Sequence, residues 1–334
     1  QKWLKNYSYF WELNPKRWWC KTTLKLPRAN NPDPTFKVNR HTQETKDFHQ
    51  IMKIAVLADI HANYPALEAT VDHIERWQPD TVLVAGDLIN RGPKPVECLH
   101  LIQKMQTQRG WEVIRGNHEE YVLWHSLPDS PREGPLFELF RYSYWTYEKL
   151  DEQAALLEAM PDEFSKNIPA AGEFRCVHAS MKSNRRGIYP EMADETIKKL
   201  INPPPALLAV GHTHRPLIRQ IGQTLVVNAG AVGLPFDADR RPAYAQITFS
   251  QGHWSAEIVR LNYDITQAKR DFYDTGFLDQ AGPLSKIIQL ELEISLSQLF
   301  QWTHIYMNAV LDEKISIKQA VDEYLRDPLD RPYW

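Results

Sequence analysis

The chain has 334 residues, 43% hydrophobic and 24% charged, with a net charge of −3. That composition fits one large globular domain with appendages, or two domains, and excludes wholesale disorder and collagen-like repeats. No run approaches the roughly 18 apolar residues of a spanning helix, and three cysteines (Cys20, Cys98, Cys176) cannot build a disulfide framework.

Residues 1–50 differ from the rest. They hold ten Lys or Arg against four Asp or Glu, a surplus of +6 that leaves −9 for residues 51–334. Trp3, Tyr7, Tyr9, Phe10, Trp11, Trp18 and Trp19 crowd this stretch, and Pro27 to Pro34 reads as loop. No helical or strand period is sustained. The expectation is a basic, aromatic-rich extension over 1–51, outside the fold. No apolar core follows the first basic residues, so no secretory leader is expected and the cytoplasm is the expected location.

From Met52 the pattern becomes regular. Ile54 to Ala58 is an apolar run that ends on Asp59-Ile60-His61. Leu67, Val71, Ile74 and Trp77 follow at helical spacing, with Pro65 in the first turn. Thr81 to Ala85 is a second run, ending on Gly86-Asp87. Val96, Leu99, Ile102 and Met105 mark a second helix behind Pro95. Glu112 to Ile114 is a third strand, ending on Gly116-Asn117-His118-Glu119. Strands alternating with helices predict right-handed crossovers and a parallel sheet.

Residues 117–160 read as helical. Phe174 to Val177 is a strand ending at His178, Asp194 to Ile201 a short helix, and Ala206 to Val210 a strand ending at Gly211-His212-Thr213-His214. Pro216–Gln220, Thr224–Asn228, Ala243–Phe249 and Trp254–Arg260 then read as strands with turns between them, which suggests an antiparallel second sheet. Residues 264–334 return to helix. The apolar density from Ile287 to Trp302 demands cover, from the domain itself or from a second copy of the chain.

Chemistry-bearing side chains fall at five strand ends: Asp59, Asp87, Asn117, His178 and His212, with His61 and His214 on the same loops. In open α/β sheets ligands bind beyond the carboxyl ends of strands. Singly, each has a bland reading, such as a helix cap or a packed histidine. That reading is kept for His73, His100, His125, His253 and His304. Together, four histidines, two aspartates and an asparagine suit two divalent ions of borderline softness, such as Mn²⁺, Fe²⁺ or Zn²⁺. Two such ions can hold a nucleophilic water and the oxygens of an in-line displacement, so no serine or cysteine nucleophile is required.

These motifs, in this order, resemble the calcineurin-like metallophosphoesterase superfamily, and Ala58-Asp59-Ile60-His61-Ala62-Asn63 resembles its small bacterial phosphodiesterase-like branch. The resemblance implies an α/β fold, a four-layer α-β-β-α sandwich of two mixed sheets with flanking helices. It would fill 52–262, with a C-terminal helical extension over 263–334. It implies two divalent metal ions (Mn, Fe, Zn or Ni). The first would take Asp59, His61, Asp87 and His214; the second would take Asp87, Asn117, His178 and His212. His118 matches the family's non-ligand histidine, placed to protonate the leaving oxygen or bind phosphate. Arg91 and Arg115, with Asn117, would contact the substrate phosphate. Asn90 stands where the protein-phosphatase branch has an aspartate beside that histidine, and an amide cannot stabilise imidazolium by charge. Arg185 and Arg186 could reach substrate but read first as a solvated loop.

The expected activity is hydrolysis of a small phosphodiester, nucleotide or phosphomonoester. Alternatives are a Ser/Thr protein phosphatase or dinucleoside-polyphosphate hydrolase, and a non-catalytic scaffold of the same fold. The −9 of residues 51–334 opposes extended nucleic-acid contact. Expected partners are a phosphorylated small molecule or nucleotide and, through the C-terminal helices, a second copy of the chain; no membrane partner is expected. Met52, directly before the first strand, reads as the natural start. Mass spectrometry of the native N-terminus should therefore find Met52 first; a mature chain beginning near residue 1 would overturn that.

Overall fold

The structure is a computed structural model and describes residues 51–328. Apart from Ile51, the basic extension expected over 1–51 lies outside the described residues. The fold begins with β1 (Met52–Leu57), α1 (Tyr64–Trp77), β2 (Thr81–Val84), α2 (Pro95–Arg109) and β3 (Glu112–Val113). Asn63 caps α1, its side chain accepting the Ala66 N–H at 3.2 Å, and Pro65 sits in the first turn. Leu67, Val71 and Ile74 form the buried face of α1.

Successive side chains of β1 point to opposite faces, and both faces are covered. Ile54 and Val56 share a core with Phe174, Leu207 and Val227 of the second sheet. Ala55 and Leu57 share another with Leu67 and Ile74 of α1 and Leu99 and Ile102 of α2. A strand buried on both sides has no polar face, which is why β1 and β2 read as unbroken apolar runs.

Next come α3 (Asn117–Trp124), α4 (Gly134–Leu139), α5 (Arg141–Leu150) and α6 (Ala155–Glu158). The helical stretch expected over 117–160 is thus interrupted at 125–133, where Pro128 and Pro131 cannot continue a helix. The chain continues through β4 (Glu163–Ile168), β5 (Gly172–Val177), α7 (Asp194–Leu200), β6 (Leu207–Val210), β7 (Leu217–Ile221), β8 (Thr224–Asn228), β9 (Ala243–Ser250) and β10 (His253–Arg260). The sequence reading passes over β4. It is an edge strand whose side chains are mostly exposed, so it lacks apolar alternation.

Two mixed sheets pack face to face with helices outside, the α/β sandwich expected. The first has the order β10-β9-β1-β2-β3, the second β4-β5-β6-β8-β7. The four strands of 216–260 do not form one antiparallel sheet. The β7–β8 hairpin joins the second sheet, with β8 parallel to β6. The β9–β10 hairpin crosses back to the first, where β9 runs antiparallel to β1 with Ile247 opposite Ile54. Local alternation identifies a hairpin but not its sheet; the crossing is made in the segment 229–242.

The chain closes with α8 (Ile265–Asp274), α9 (Phe277–Gln280), α10 (Ser285–Ile294), α11 (Leu299–Leu311) and α12 (Ile317–Tyr324). The dense apolar run from Ile287 to Trp302 divides at Ser295, whose φ of +56° ends α10. Ile287, Ile288, Leu292 and Trp302 pack with Leu139, Tyr142 and Trp145 of the α4–α5 region and with Leu234 and Phe236. Trp302 is 0% exposed. Trp302→Ala should lower unfolding free energy by about 3–5 kcal/mol, read as a lower urea midpoint; a change below about 1 kcal/mol would place Trp302 outside the core.

Candidate metal centre

The candidate side chains converge because the loops after the strands are laced together. Asp59 N–H bonds the Gly86 carbonyl at 3.1 Å, and His61 N–H bonds the Asp87 carbonyl at 3.0 Å. Across the sandwich, His212 N–H donates to Asp59 Oδ2 at 2.8 Å; within the second sheet, Gly211 N–H bonds the His178 carbonyl at 2.8 Å. His118 N–H donates to Asp87 Oδ1 at 2.8 Å. A Cβ on Gly116 would lie 2.1 Å from that same Oδ1, so only glycine allows the carboxylate to come this close.

Backbone strain gathers here. Asp59, His61, Ala62, Asp87, Asn90, Arg91, His212 and His214 all have φ between +46° and +70°. Each such non-glycine residue costs on the order of 1 kcal/mol or more and persists only where its surroundings over-determine it.

Two groups of donors result. Asp59, His61, Asp87 and His214 form one, and Asp87, His178 and His212 the other, with Asp87 common to both; within each group the donor atoms lie within 4.8 Å of one another. Asn117 joins the second group, its Oδ1 3.0 Å from His178 Nε2 and 2.9 Å from His212 Nδ1.

Four backbone carbonyls decide how the imidazoles are protonated. His61 Nδ1 lies 3.3 Å from the Asn90 carbonyl and His214 Nδ1 2.5 Å from that of Leu234. His178 Nδ1 faces the Ala85 carbonyl at 2.8 Å, and His212 Nε2 the Arg185 carbonyl at 3.1 Å. A carbonyl only accepts, so each of these nitrogens carries the hydrogen and the other nitrogen turns inward; the tautomers are assigned from this network.

In the first group, His61 Nε2 and His214 Nε2 then face each other at 3.1 Å as two lone pairs. Asp59 Oδ1 is buried without a hydrogen-bond donor. Inward lone pairs around a donorless carboxylate oxygen are what a cation site requires. The residues present fit a divalent ion there.

Electrostatics agree. Burial first, then neighbouring positive charge, holds His61 and His214 well below the usual imidazole value. Burial and His178 lower His212 to about 3. Burial would also lower His178, but the Asp87 carboxylate 3.2 Å away, with Asp59, raises it to about 10. Burial would raise Asp87, but His178 and then His118 keep it well below the carboxylate range. Burial drives Asp59 well above that range, against the pull of His178. The two carboxylates that favour positive charge on His178 would equally favour a divalent ion among these donors.

Residues the sequence reading gave no role support this arrangement. Glu119 is 0% exposed, and its carboxylate accepts the N–H groups of Asp87, Leu88, Ile89 and Gly116 at 2.9, 2.8, 3.2 and 2.7 Å. It fixes the Asp87 turn to the start of α3. The Gly-x-x-Glu spacing ahead of a helix was the available signal. Asn228, at the end of β8, bonds the Gly211 carbonyl and Thr213 Oγ1, both at 2.9 Å. Phe236 stacks on His214 at 4.2 Å; nothing in the sequence marks it.

His118 lies beside the first group, 4.8 Å ring to ring from His61. Its Nδ1 meets Asn90 Nδ2 at 3.0 Å, while Asn90 Oδ1 accepts the Arg91 N–H at 2.9 Å. Asn90 is thus the donor, and His118 carries its hydrogen on Nε2. Burial is the main reason its pKa falls to about 3.

The arginines divide. Arg91 reaches the centre but gives Nη2 to the fully buried Glu291 of α10. Arg115 pairs with Asp162 at 2.6 Å, and its backbone N–H bonds the Pro161 carbonyl, which ties it to the segment just before β4. Arg185 is not in a solvated loop. Its side chain is 10% exposed, pairs with Glu120 at 2.6 Å and lies over Tyr121, 5.2 Å from guanidinium carbon to ring centre. Its carbonyl is the one that orients His212.

Comparison with known proteins agrees with this geometry. The family model of the calcineurin-like phosphoesterase superfamily domain matches residues 52–252. The uncharacterized protein MJ0912 of Methanocaldococcus jannaschii is 27% identical over 234 residues, 64% of this chain and 89% of that one. A symmetrical bis(5'-nucleosyl)-tetraphosphatase of Wigglesworthia glossinidia brevipalpis is 36% identical over 69 residues, 20% of this chain and 25% of its own. A metallophosphoesterase from Sphaerobacter thermophilus shares the fold at TM-score 0.57 and 22% identity, covering 74% of this chain and 100% of that one. The hypothetical protein PH1004 of Pyrococcus horikoshii does so at TM-score 0.60 and 20% identity, over 70% and 97%. The chain belongs to the calcineurin-like phosphoesterase superfamily, a family of phosphoesterase hydrolases.

Glu119→Gln would turn amide hydrogens toward backbone N–H groups. It should cost about 1–3 kcal/mol of stability and weaken metal uptake, seen as a lower melting temperature and a reduced metal-to-protein ratio. Unchanged values for both would remove Glu119 from this supporting role.

Proposed function

We propose that this chain is a two-metal phosphoesterase that hydrolyses a small phosphodiester, nucleotide or phosphomonoester. The observation that carries the reading is the set of four imidazoles, each tied through one nitrogen to a backbone carbonyl and turning the other toward Asp59, Asp87 and Asn117. Asp59, His61, Asp87 and His214 would hold one ion, and Asp87, Asn117, His178 and His212 the other. When bound, two such ions supply Lewis acidity and a water that ionises near neutral pH.

The remaining steps belong to side chains of this chain. His118 offers its Nε2–H to a phosphoryl or leaving-group oxygen, because Asn90 occupies Nδ1 as a donor. Burial disfavours its charged form, which suits a fixed hydrogen-bond donor to that oxygen. Arg91 contributes positive charge beside His61, His118 and His214. The short Wigglesworthia match favours a second reading, hydrolysis of a dinucleoside polyphosphate.

The deciding assay is hydrolysis of bis-p-nitrophenyl phosphate and p-nitrophenyl phosphate with Mn²⁺ and after chelation. Metal-dependent cleavage of the diester above the monoester supports the phosphodiesterase reading; monoester preference moves the assignment to a phosphatase. No metal-dependent turnover of these or of a dinucleoside polyphosphate would overturn the enzyme reading. Asp87→Ala should lose both metal ions and nearly all turnover. His118→Ala should keep its metal and slow turnover by about 10²–10³; a wild-type rate in either variant would refute the role given to that residue.

A further inference from the structure

The matched family domain ends at residue 252, yet a side chain well beyond it reaches the centre. Glu291 of α10 is 0% exposed. Its Oε1 accepts the N–H groups of Gln298 and Leu299, both at 2.9 Å, and Oε2 takes Arg91 Nη2. Every oxygen of this carboxylate is therefore in use, and it faces one guanidinium.

Arg91 needs such a partner. It follows Asn90 on the β2 loop with φ +59°, and its side chain is only 9% exposed. Its Nε is buried without an acceptor, and its guanidinium carbon lies 5.6 Å from the ring centre of Phe236. Phe236 in turn stacks on His214. A second tie joins the same places: Ala238 N–H bonds the carbonyl of Ser295, the residue that ends α10, at 3.0 Å. The last turn of α10 and its cap thus grip both Arg91 and the loop behind His214.

A guanidinium presents five N–H donors in a rigid fork, so fixing one edge aims the rest. We propose that Glu291 is a positioning residue for phosphate binding: by holding Arg91 Nη2 it aims the free part of the fork at a phosphoryl group beside His61, His118 and His214. The C-terminal helices are then a working part of the site. This rests on the reading above that Arg91 meets the substrate phosphate.

The test is inorganic phosphate binding to the full chain loaded with Mn²⁺, by titration calorimetry, with metal content measured on the same samples. Glu291→Gln should weaken phosphate binding about tenfold at unchanged metal content, and raise KM more than it lowers kcat. In an Arg91→Met background the same change should add nothing, because the two residues act as a unit. Glu291→Gln leaves a buried guanidinium unpaired and risks misfolding. Glu291→Asp keeps the charge while drawing the carboxylate back by one methylene, and is expected to weaken phosphate binding in a folded protein.

Loss of phosphate affinity in Arg91→Met, with wild-type affinity in the folded Glu291 variants, would overturn the proposal and leave the Arg91 reading standing. Wild-type affinity in Arg91→Met would overturn both. Equal losses from the Glu291 change with and without Arg91 would make its effect structural and overturn the proposal.

Discussion

Asp87 is a carboxylate taken almost wholly out of water, 1% exposed, and shared by both donor groups. Burying a charge this way is expensive unless the site supplies partners for it. The His118 N–H binds one oxygen, and His178 Nε2 lies 3.2 Å from the other. Gly116 lets the α3 start approach, and Glu119 fixes the turn on which Asp87 sits. Much of the centre's unusual backbone follows from holding this one side chain. The β2 loop must bend sharply, so Asp87, Asn90 and Arg91 all adopt positive φ.

A second carboxylate sits behind the first. Glu119 does for Asp87 what the backbone carbonyls do for the histidines: it binds nothing but the chain, and so frees its neighbour for chemistry. Positive charge is treated likewise. Arg91, Arg115 and Arg185 are each matched with one acid, Glu291, Asp162 and Glu120. The protein thus keeps guanidinium groups near an acidic, imidazole-rich site without leaving them loose.

The donor residues were legible in sequence because each lies just after a strand, and β1, β2 and β6 are apolar on both faces, a pattern that needs no knowledge of packing. The parallel half of the first sheet was legible for the same reason. What escaped depended on long-range placement. The β9–β10 hairpin looks the same whichever sheet it joins. β4, an exposed edge, has no alternation to detect. Phe236 gains its importance only from lying against His214. Glu291 leaves only an ambiguous trace, since the apolar run of 287–302 carries two acids, Glu291 and Glu293, and only packing decides that Glu291 is the buried one. Arg115 likewise gains its partner Asp162 only through the fold, and its place before Gly116-Asn117-His118-Glu119 does not announce that pairing.

The contact of His212 N–H with Asp59 Oδ2 joins residues 153 positions apart, one from each sheet. Neither sheet alone can present a complete donor group, because His214 and His212 come from one and Asp59 and Asp87 from the other. Contacts of such sequence separation form late when loop-closure entropy governs the order of events. Metal capture by these residues would thereby be tied to the last stage of assembly. A half-folded chain would lack a complete donor group, so a tightly held ion would report that both sheets have met in register.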